Sequence, residues 1–111
     1  MPTAITPSTT AASAVPAEFR GFRTLLVDLR ADCVRQRELA LAETATSLPD
    51  PVAVSRAAHL LRSIEEIDSA LQRISEGTYG RCMCCGAGIP AERLEFRPHA
   101  ARCVACQERA R

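Results

Sequence analysis

The sequence has few of the side chains that small proteins use to build a core or to bind nucleic acid. The 111-residue chain has no tryptophan, one tyrosine and three phenylalanines. Its 14 basic residues are all arginine and nearly balance the 13 acidic ones, which argues against a strongly electrostatic nucleic-acid binder. No run approaches the roughly 20 apolar residues of a membrane span. So small a domain usually needs disulfides, a metal or a partner to hold it together.

The first sixteen residues are mostly Thr, Ser, Ala and Pro and carry no charge. This composition predicts a disordered tail over residues 1–16, because too little apolar surface is available to offset the ordering entropy. Residues 13–17 faintly resemble a signal cleavage site, but no positive region or apolar run precedes them. We therefore expect a cytoplasmic protein, in which paired cysteines more often bind metal than form disulfides.

Two apolar stripes predict two long helices, over residues 18–47 and from about 52 to 76. The first stripe consists of Phe22, Leu26, Leu29, Cys33, Gln36 and Ala40. The second is a heptad seam of Ala57, Leu60, Ile64, Ile67, Leu71 and Ile74. The seam suits either the core of a hairpin or a homodimerising coiled coil.

A proline-rich break separates the two predicted helices. Pro49 and Pro51 flank Asp50, and Pro51 can begin a helix for which Asp50 is the N-cap. Gly77 is a plausible C-cap for that helix. Two helices of similar length joined by so short a break predict an antiparallel hairpin over residues 17–77, with its tip near 47–52.

Four cysteines near the C-terminus have the spacing of a zinc site. Cys82 and Cys85 form one C-x2-C pair, and Cys103 and Cys106 form a second pair after seventeen intervening residues. Each pair can present two thiolates to one tetrahedral ion, and Gly86 lets the backbone turn beneath the first pair. The spacing predicts one structural Zn²⁺, because four thiolates leave no open position for substrate. An iron–sulfur cluster is the alternative metal centre.

Several neighbouring residues have weaker roles in this prediction. Cys84 should point away from the metal, Cys33 should be a small core residue, and His99 should lie at the surface. Four arginines near the cysteines could offset the negative charge of the site or could simply be solvated. They are Arg81, Arg93, Arg97 and Arg102. The predicted fold is thus mainly α, with a four-cysteine zinc finger and C-terminal helix over residues 78–111 after the hairpin.

Residues 70–106 resemble the C-terminal zinc finger of the DksA/TraR family. The matching positions are Ala70-Leu71, Arg73-Ile74, Gly77, Tyr79-Gly80, Cys82, Cys85-Gly86, Ile89, Arg93-Leu94, Pro98, Ala100, Cys103 and Cys106. Members of this family are transcription regulators that bind RNA polymerase without needing DNA. The resemblance implies that the hairpin enters the polymerase secondary channel and that the finger rests outside it.

The hairpin tip departs from the family pattern. The best-known members carry Asp-x-x-Asp-x-Ala at the tip, and Asp50 matches the first acid. Ala53 occupies the position of the second acid, and Ser55 stands where Ala would be. A gapped alignment matches 55–57 instead, still without a second Asp. Asp50, Ser55 and Arg56 are therefore the candidate partner-binding residues, with one carboxylate where the family pattern has two.

Three functional hypotheses follow from the sequence. The first is a transcription regulator that binds RNA polymerase, and the second is a zinc-stapled interaction or dimerisation module. The third, direct DNA binding through the arginines of residues 92–111, is weakened by the interleaved Glu92, Glu95 and Glu108. We expect no sequence-specific DNA binding and no membrane association. We also expect no enzymatic activity, because the zinc site is closed, no His–carboxylate pair stands near a nucleophile and no phosphate loop is present.

Overall fold

Four helices make up the secondary structure that the computed structural model describes, which covers residues 19–45 and 48–109. They are α1 (Arg20–Thr44), α2 (Pro51–Glu76), α3 (Ala91–Phe96) and α4 (Val104–Arg109). Helices α1 and α2 pack along each other as an antiparallel hairpin, and the two short helices belong to the cysteine-rich segment that follows. The predicted fold class is confirmed. The predicted tail over residues 1–16 lies outside the described residues.

The break between α1 and α2 shows the predicted capping at the start of α2. The Asp50 carboxylate accepts a hydrogen bond of 3.0 Å from the backbone N–H of Val52, and Pro51 occupies the first turn. At the other end, Gly77 adopts the left-handed conformation with φ 79° and closes the helix. Helix α1 ends at Thr44, three residues before the predicted limit.

The interhelical seam follows most of the predicted positions, but not Gln36. The seam of α1 consists of Phe22, Leu26, Cys33 and Ala40, with Leu29 partly buried. Gln36 is exposed, and its side chain donates a 2.6 Å hydrogen bond to Asp32 on the flank of the helix. The inclusion of Gln36 in the stripe was wrong because the helical repeat passes through Arg37 instead.

The seam contains large side chains in one half of the hairpin and small ones in the other. Near the finger, Leu26 and Ile67 are fully buried, and Ile64 and Ile74 are nearly so. Beyond Leu60 towards the tip, the buried residues of the two helices are Ala40, Ala53 and Ala57. Because alanine buries little area, most of the hydrophobic stabilisation of the hairpin comes from its base.

An aromatic cluster joins the hairpin base to the finger. The Tyr79 ring meets Phe19 edge to face at 5.4 Å between centroids and lies 6.0 Å from Phe22. The Tyr79 hydroxyl donates a 2.7 Å hydrogen bond to the carbonyl of Pro98 in the finger. Burial raises the pKa of Tyr79 to about 12, so the hydroxyl keeps the proton that it donates.

Arg73 forms a second link between α2 and the finger. Its side chain is 95% buried, and it donates to the Ser69 hydroxyl at 2.9 Å and to the Ala100 carbonyl at 3.4 Å. Burial lowers the pKa of Arg73, since desolvation disfavours the charged guanidinium. Sequence patterning did not identify this residue as buried, because arginine is seldom found in a core without partners.

Two interhelical ion pairs lie on opposite sides of the hairpin. On one side, Arg30 pairs with Asp68 at 2.5 Å, and on the other, Arg56 pairs with Glu43 at 3.4 Å. All four side chains are about half exposed, so each pair contributes little to stability. Their value here is geometric, because they fix which flank of α1 faces which flank of α2.

None of the helices in residues 19–45 and 48–109 combines the length and apolar character that crossing a bilayer requires.

We expect Gly80→Ala to destabilise the protein more than Gly77→Ala. Both glycines have positive φ, 86° and 79°, so alanine at either position costs about 1–2 kcal/mol in backbone strain. Only at Gly80 would an added Cβ meet another group, the Phe19 ring at 2.7 Å. Overpacking against this ring should cost roughly 1–3 kcal/mol more. Urea unfolding of both variants measures the difference, and equal destabilisation would contradict the role of the aromatic cluster.

Candidate metal centre

Two backbone knuckles carry the four cysteines. In the first, Gly86 has φ 78° and donates to the Cys82 carbonyl at 2.9 Å, while the Cys82 N–H donates to Ala87 at 2.8 Å. The second knuckle runs into α4, where the N–H of Gln107 donates to the Cys103 carbonyl at 2.9 Å. The knuckles are joined by a 2.8 Å hydrogen bond from Met83 to Ala101. Tight backbone turns therefore hold each pair of sulfurs in place.

The structure brings the sulfurs of Cys82, Cys85, Cys103 and Cys106 together, all within 4.8 Å of one another. The Sγ atoms of Cys85 and Cys103 are 3.8 Å apart. A tetrahedral ion with Zn–S bonds of about 2.3 Å places its sulfurs about 3.8 Å apart, so the donor set fits Zn²⁺. With four sulfurs around one ion, no position is left for a substrate, and the centre suits a structural role.

The clustered sulfurs differ in how readily they lose their protons. Backbone N–H groups, first that of Cys103 and then that of Cys85, lower the pKa of the Cys82 thiol to about 5. In contrast, the hydrogen bond with the Cys103 sulfur raises the pKa of Cys106 to about 12. Crowded sulfurs cannot all ionise by themselves. A dication coordinated by all four would hold them as thiolates, and binding would release protons.

Arg109 is the arginine that contacts a sulfur of the site. Its guanidinium donates to the Cys106 Sγ at 3.0 Å, which favours the thiolate form of that residue. It was missed in the sequence, although it follows Cys106 by three residues and so lies on the same face of α4. Of the arginines proposed to offset the charge, Arg93 donates to the Arg102 carbonyl at 3.2 Å, and Arg97 lies 3.9 Å from Glu66.

The remaining cysteines and one histidine have defined positions outside the sulfur cluster. Cys33 is buried in the hairpin seam, as expected. Cys84 is exposed, and its backbone N–H points to the Cys82 sulfur at 3.4 Å. His99 was expected at the surface but is largely buried, with its Nε2 3.5 Å from a Glu66 oxygen. That expectation was wrong because the finger folds against α2 and covers the ring, and this burial lowers the pKa of His99.

A cleft of about 470 Å³ lies where the finger meets α2. Its lining includes Glu66, Arg73 and His99, which tie the two parts together, and Cys84 at its edge. The Arg73 Nε and the His99 Nδ1 are buried there without a hydrogen-bond partner in the part of the chain that the structure describes. No local pattern in the sequence predicts the cleft, because its residues come from three separate segments.

The three candidate partner-binding residues lie near the tip but have different surroundings. Asp50 and Ser55 are exposed, and the Asp50 carboxylate is used as the N-cap of α2. Arg56 is exposed but paired with Glu43 across the hairpin. Ala53 is fully buried in the seam. Asp50 is thus one exposed carboxylate at the turn, and the role of all three residues stays a prediction.

We predict that Cys85→Ser abolishes zinc retention while Cys84→Ser leaves it intact. The two cysteines are neighbours and both are exposed, but only the Cys85 sulfur belongs to the cluster. The zinc content of the purified proteins, measured by plasma mass spectrometry, should be about one ion per chain for the parent and for Cys84→Ser. Equal zinc contents in the two variants would contradict the ligand assignment.

Comparison with known proteins agrees with this metal centre. Residues 77–111 match the family described as the prokaryotic dksA/traR C4-type zinc finger. Together with the four clustered cysteines, this match identifies the cofactor as one structural Zn²⁺. An iron–sulfur cluster is therefore no longer needed to explain the spacing.

Curated relatives match over part of their length. The RNA polymerase-binding transcription factor DksA of Caulobacter vibrioides is 41% identical over 70 residues, which is 62% of this chain and 49% of the relative. General stress protein 16O of Bacillus subtilis is 48% identical over 44 residues, 40% of this chain and 27% of the relative. The chain thus spans half or less of the length of these relatives.

Solved structures match over most of both chains. The RNA polymerase binding protein and transcriptional regulator Dks from Chlamydia trachomatis has a TM-score of 0.59 at 28% identity, covering 83% of this chain and 85% of that one. Transcription factor DksA2 from Pseudomonas aeruginosa has a TM-score of 0.62 at 31% identity, covering 90% and 88%. Hairpin and finger are therefore shared as well as the cysteine motif, and this chain belongs to the DksA/TraR family.

Proposed function

We propose that this protein is a transcription regulator that binds RNA polymerase, with the hairpin tip entering the secondary channel. Family membership is the observation that carries this function. A curated relative and a solved structure that match this chain are both named as RNA polymerase-binding regulators of transcription. The protein would then act in the cytoplasm, as a regulator and not as an enzyme. The closed donor set of the zinc centre supports a non-catalytic role.

The shape of the molecule supports insertion of the hairpin. Helix α2 has 26 residues and is therefore about 39 Å long. The contacts of the finger with the hairpin, through Tyr79, Arg73 and His99, all lie in the base half. The tip half consequently projects as a narrow rod of two helices, while the finger widens the base and would stay outside a channel.

The chemistry of the tip supports a role for one carboxylate. Asp50 is exposed at the turn, and Ser55 and Arg56 lie one turn further along α2. The nearby Glu43 is engaged by Arg56, which reduces its free negative charge. Asp50 would be the acidic group nearest the catalytic region of the polymerase. A tip with one such carboxylate should affect transcription differently from the tip of a family member that carries two.

Several features of the finger argue against sequence-specific DNA binding. Helices α3 and α4 have six residues each, too short to lie along a major groove as a recognition helix. Of the arginines in this segment, Arg97 lies near Glu66, and Arg93 and Arg109 donate hydrogen bonds within the finger. We therefore propose that any DNA affinity is weak and falls with salt.

Binding to polymerase is tested directly with purified proteins. We expect the zinc-loaded chain to bind the core enzyme, and a photo-crosslinking amino acid at Ser55 to label polymerase peptides near the catalytic centre. The same group at Glu92 in the finger should label only outer surfaces. Failure to bind both the core enzyme and the enzyme carrying its initiation factor would exclude this function. A zinc-stapled interaction module for another protein would then be the better description.

We expect Asp50→Asn to abolish the effect on transcription while polymerase affinity changes less than about threefold. Asparagine caps a helix about as well as aspartate, so this change removes the charge and keeps the hairpin. The matched variant Asp50→Ala removes the cap as well and should cost about 1 kcal/mol in stability. Initiation assays and binding measured on the same samples separate the two effects. Normal regulation by Asp50→Asn would contradict a role for the charge.

A further inference from the structure

The end of the hairpin carries a cluster of apolar residues that the fold leaves uncovered. The sequence of residues 48–52 is Leu-Pro-Asp-Pro-Val, and all five residues are exposed. The side chains of Leu48 and Val52 are 88% and 62% exposed, and no other large apolar side chain in the described part of the hairpin is as exposed as Leu48. We call Leu48, Pro49, Pro51 and Val52 the apolar tip.

The apolar tip contributes little to the packing of the hairpin. Leu48 lies in the turn, after the end of α1 and before the start of α2. The seam at this end of the hairpin is closed instead by small residues, Ala40, Ala53 and Ala57. A single exposed apolar residue is ordinary, whereas four neighbours at one end of a molecule mark a surface suited to association.

The apolar tip is nearly uncharged and is held in shape by the turn. Asp50 is the single charged residue in the range 48–55, and Glu43 and Arg56 behind it pair with each other at 3.4 Å. The two prolines fix their own φ angles, and the Asp50 carboxylate accepts the N–H of Val52 at 3.0 Å. The turn therefore loses little conformational entropy when a partner covers it, which favours binding.

We propose that the apolar tip binds in an apolar pocket of RNA polymerase inside the secondary channel and supplies much of the binding affinity. This inference rests on the proposed function, because insertion of the hairpin makes the channel wall the surface that covers residues 48–52. A pocket with apolar walls is the partner that fits, since the tip offers two large aliphatic side chains and one carboxylate. Leu48 and Val52 thus hold the tip in place, and Asp50 between them acts on transcription.

Binding of zinc-loaded variants to the purified core enzyme, measured together with their effect on transcription at saturating concentration, tests this division of roles. Leu48→Ser should raise the Kd at least about tenfold, which is the loss expected for a leucine that is buried on binding. Val52→Thr keeps the shape of the side chain but brings a hydroxyl into the pocket, and should raise the Kd at least about threefold. At saturation both variants should keep the full effect on transcription, because Asp50 is unchanged. Asp50→Asn should show the opposite combination.

Leu39→Ser is the matched control. Leu39 is 67% exposed, but it lies in the middle of the hairpin on the flank where Gln36 and Asp32 hydrogen-bond to each other. This variant should change the Kd less than about twofold, as is usual for a surface substitution away from an interface. Circular dichroism and zinc content check that every variant is folded.

The same measurements separate failure of this inference from failure of the proposed function. Equal Kd values for Leu48→Ser and the parent, or equal losses in Leu48→Ser and Leu39→Ser, would overturn the role of the apolar tip and leave polymerase binding in place. Absence of binding by the parent chain would overturn the proposed function itself, and this inference with it.

Salt dependence tests the chemistry of the contact. The ratio of the Kd values of Leu48→Ser and the parent should stay constant between about 50 and about 300 mM salt, because burial of apolar surface is not screened by ions. A ratio that falls towards one at high salt would indicate an ionic contact and would overturn the apolar pocket.

Discussion

The gathering of four sulfurs within 4.8 Å is the constraint on which the finger depends. The segment has two six-residue helices and one isolated backbone bridge between Arg81 and Gly88, far too little regular structure to fold by itself. Metal binding supplies the missing free energy, which for such zinc sites is on the order of 10–16 kcal/mol. The folded finger then presents Tyr79 and the Ala100 carbonyl to the hairpin base. The hairpin is therefore anchored indirectly by the metal.

Stability is distributed unevenly along the rod as a result. At the base, Leu26, Ile67 and Leu94 are fully buried around the aromatic cluster. Towards the tip, alanines take the place of the large seam residues, and the half-exposed Glu43–Arg56 pair adds little stability. The end of the molecule with the candidate functional residues is thus the end with the least internal packing. Weakly packed regions open locally at lower cost, which suits a segment that must adapt to a partner.

Much of this structure could be predicted from the sequence because it depends on local spacing. The heptad positions of α2, the Asp50 cap and the cysteine knuckles are all periodic or short-range features. Gln36 was misassigned because its position is ambiguous between two helical repeats, and only the pairing with α2 settles the choice. Arg73 and His99 could not be assigned, since their burial depends on how the finger folds back onto a residue far away in sequence. Arg109 is the exception, because its position three residues after Cys106 predicts that the two side chains lie on the same face of α4.

The complete burial of Ala53 also limits how this tip could evolve. A change of one nucleotide can turn an alanine codon into an aspartate codon, which would restore the spacing of two acids. At this position, however, the new carboxylate would enter the seam between two helices, where an unpaired charge is strongly disfavoured. A lineage could gain the second acid only together with changes in α1 that open the seam. The one-carboxylate tip is thus preserved by packing as well as by any selection on its activity.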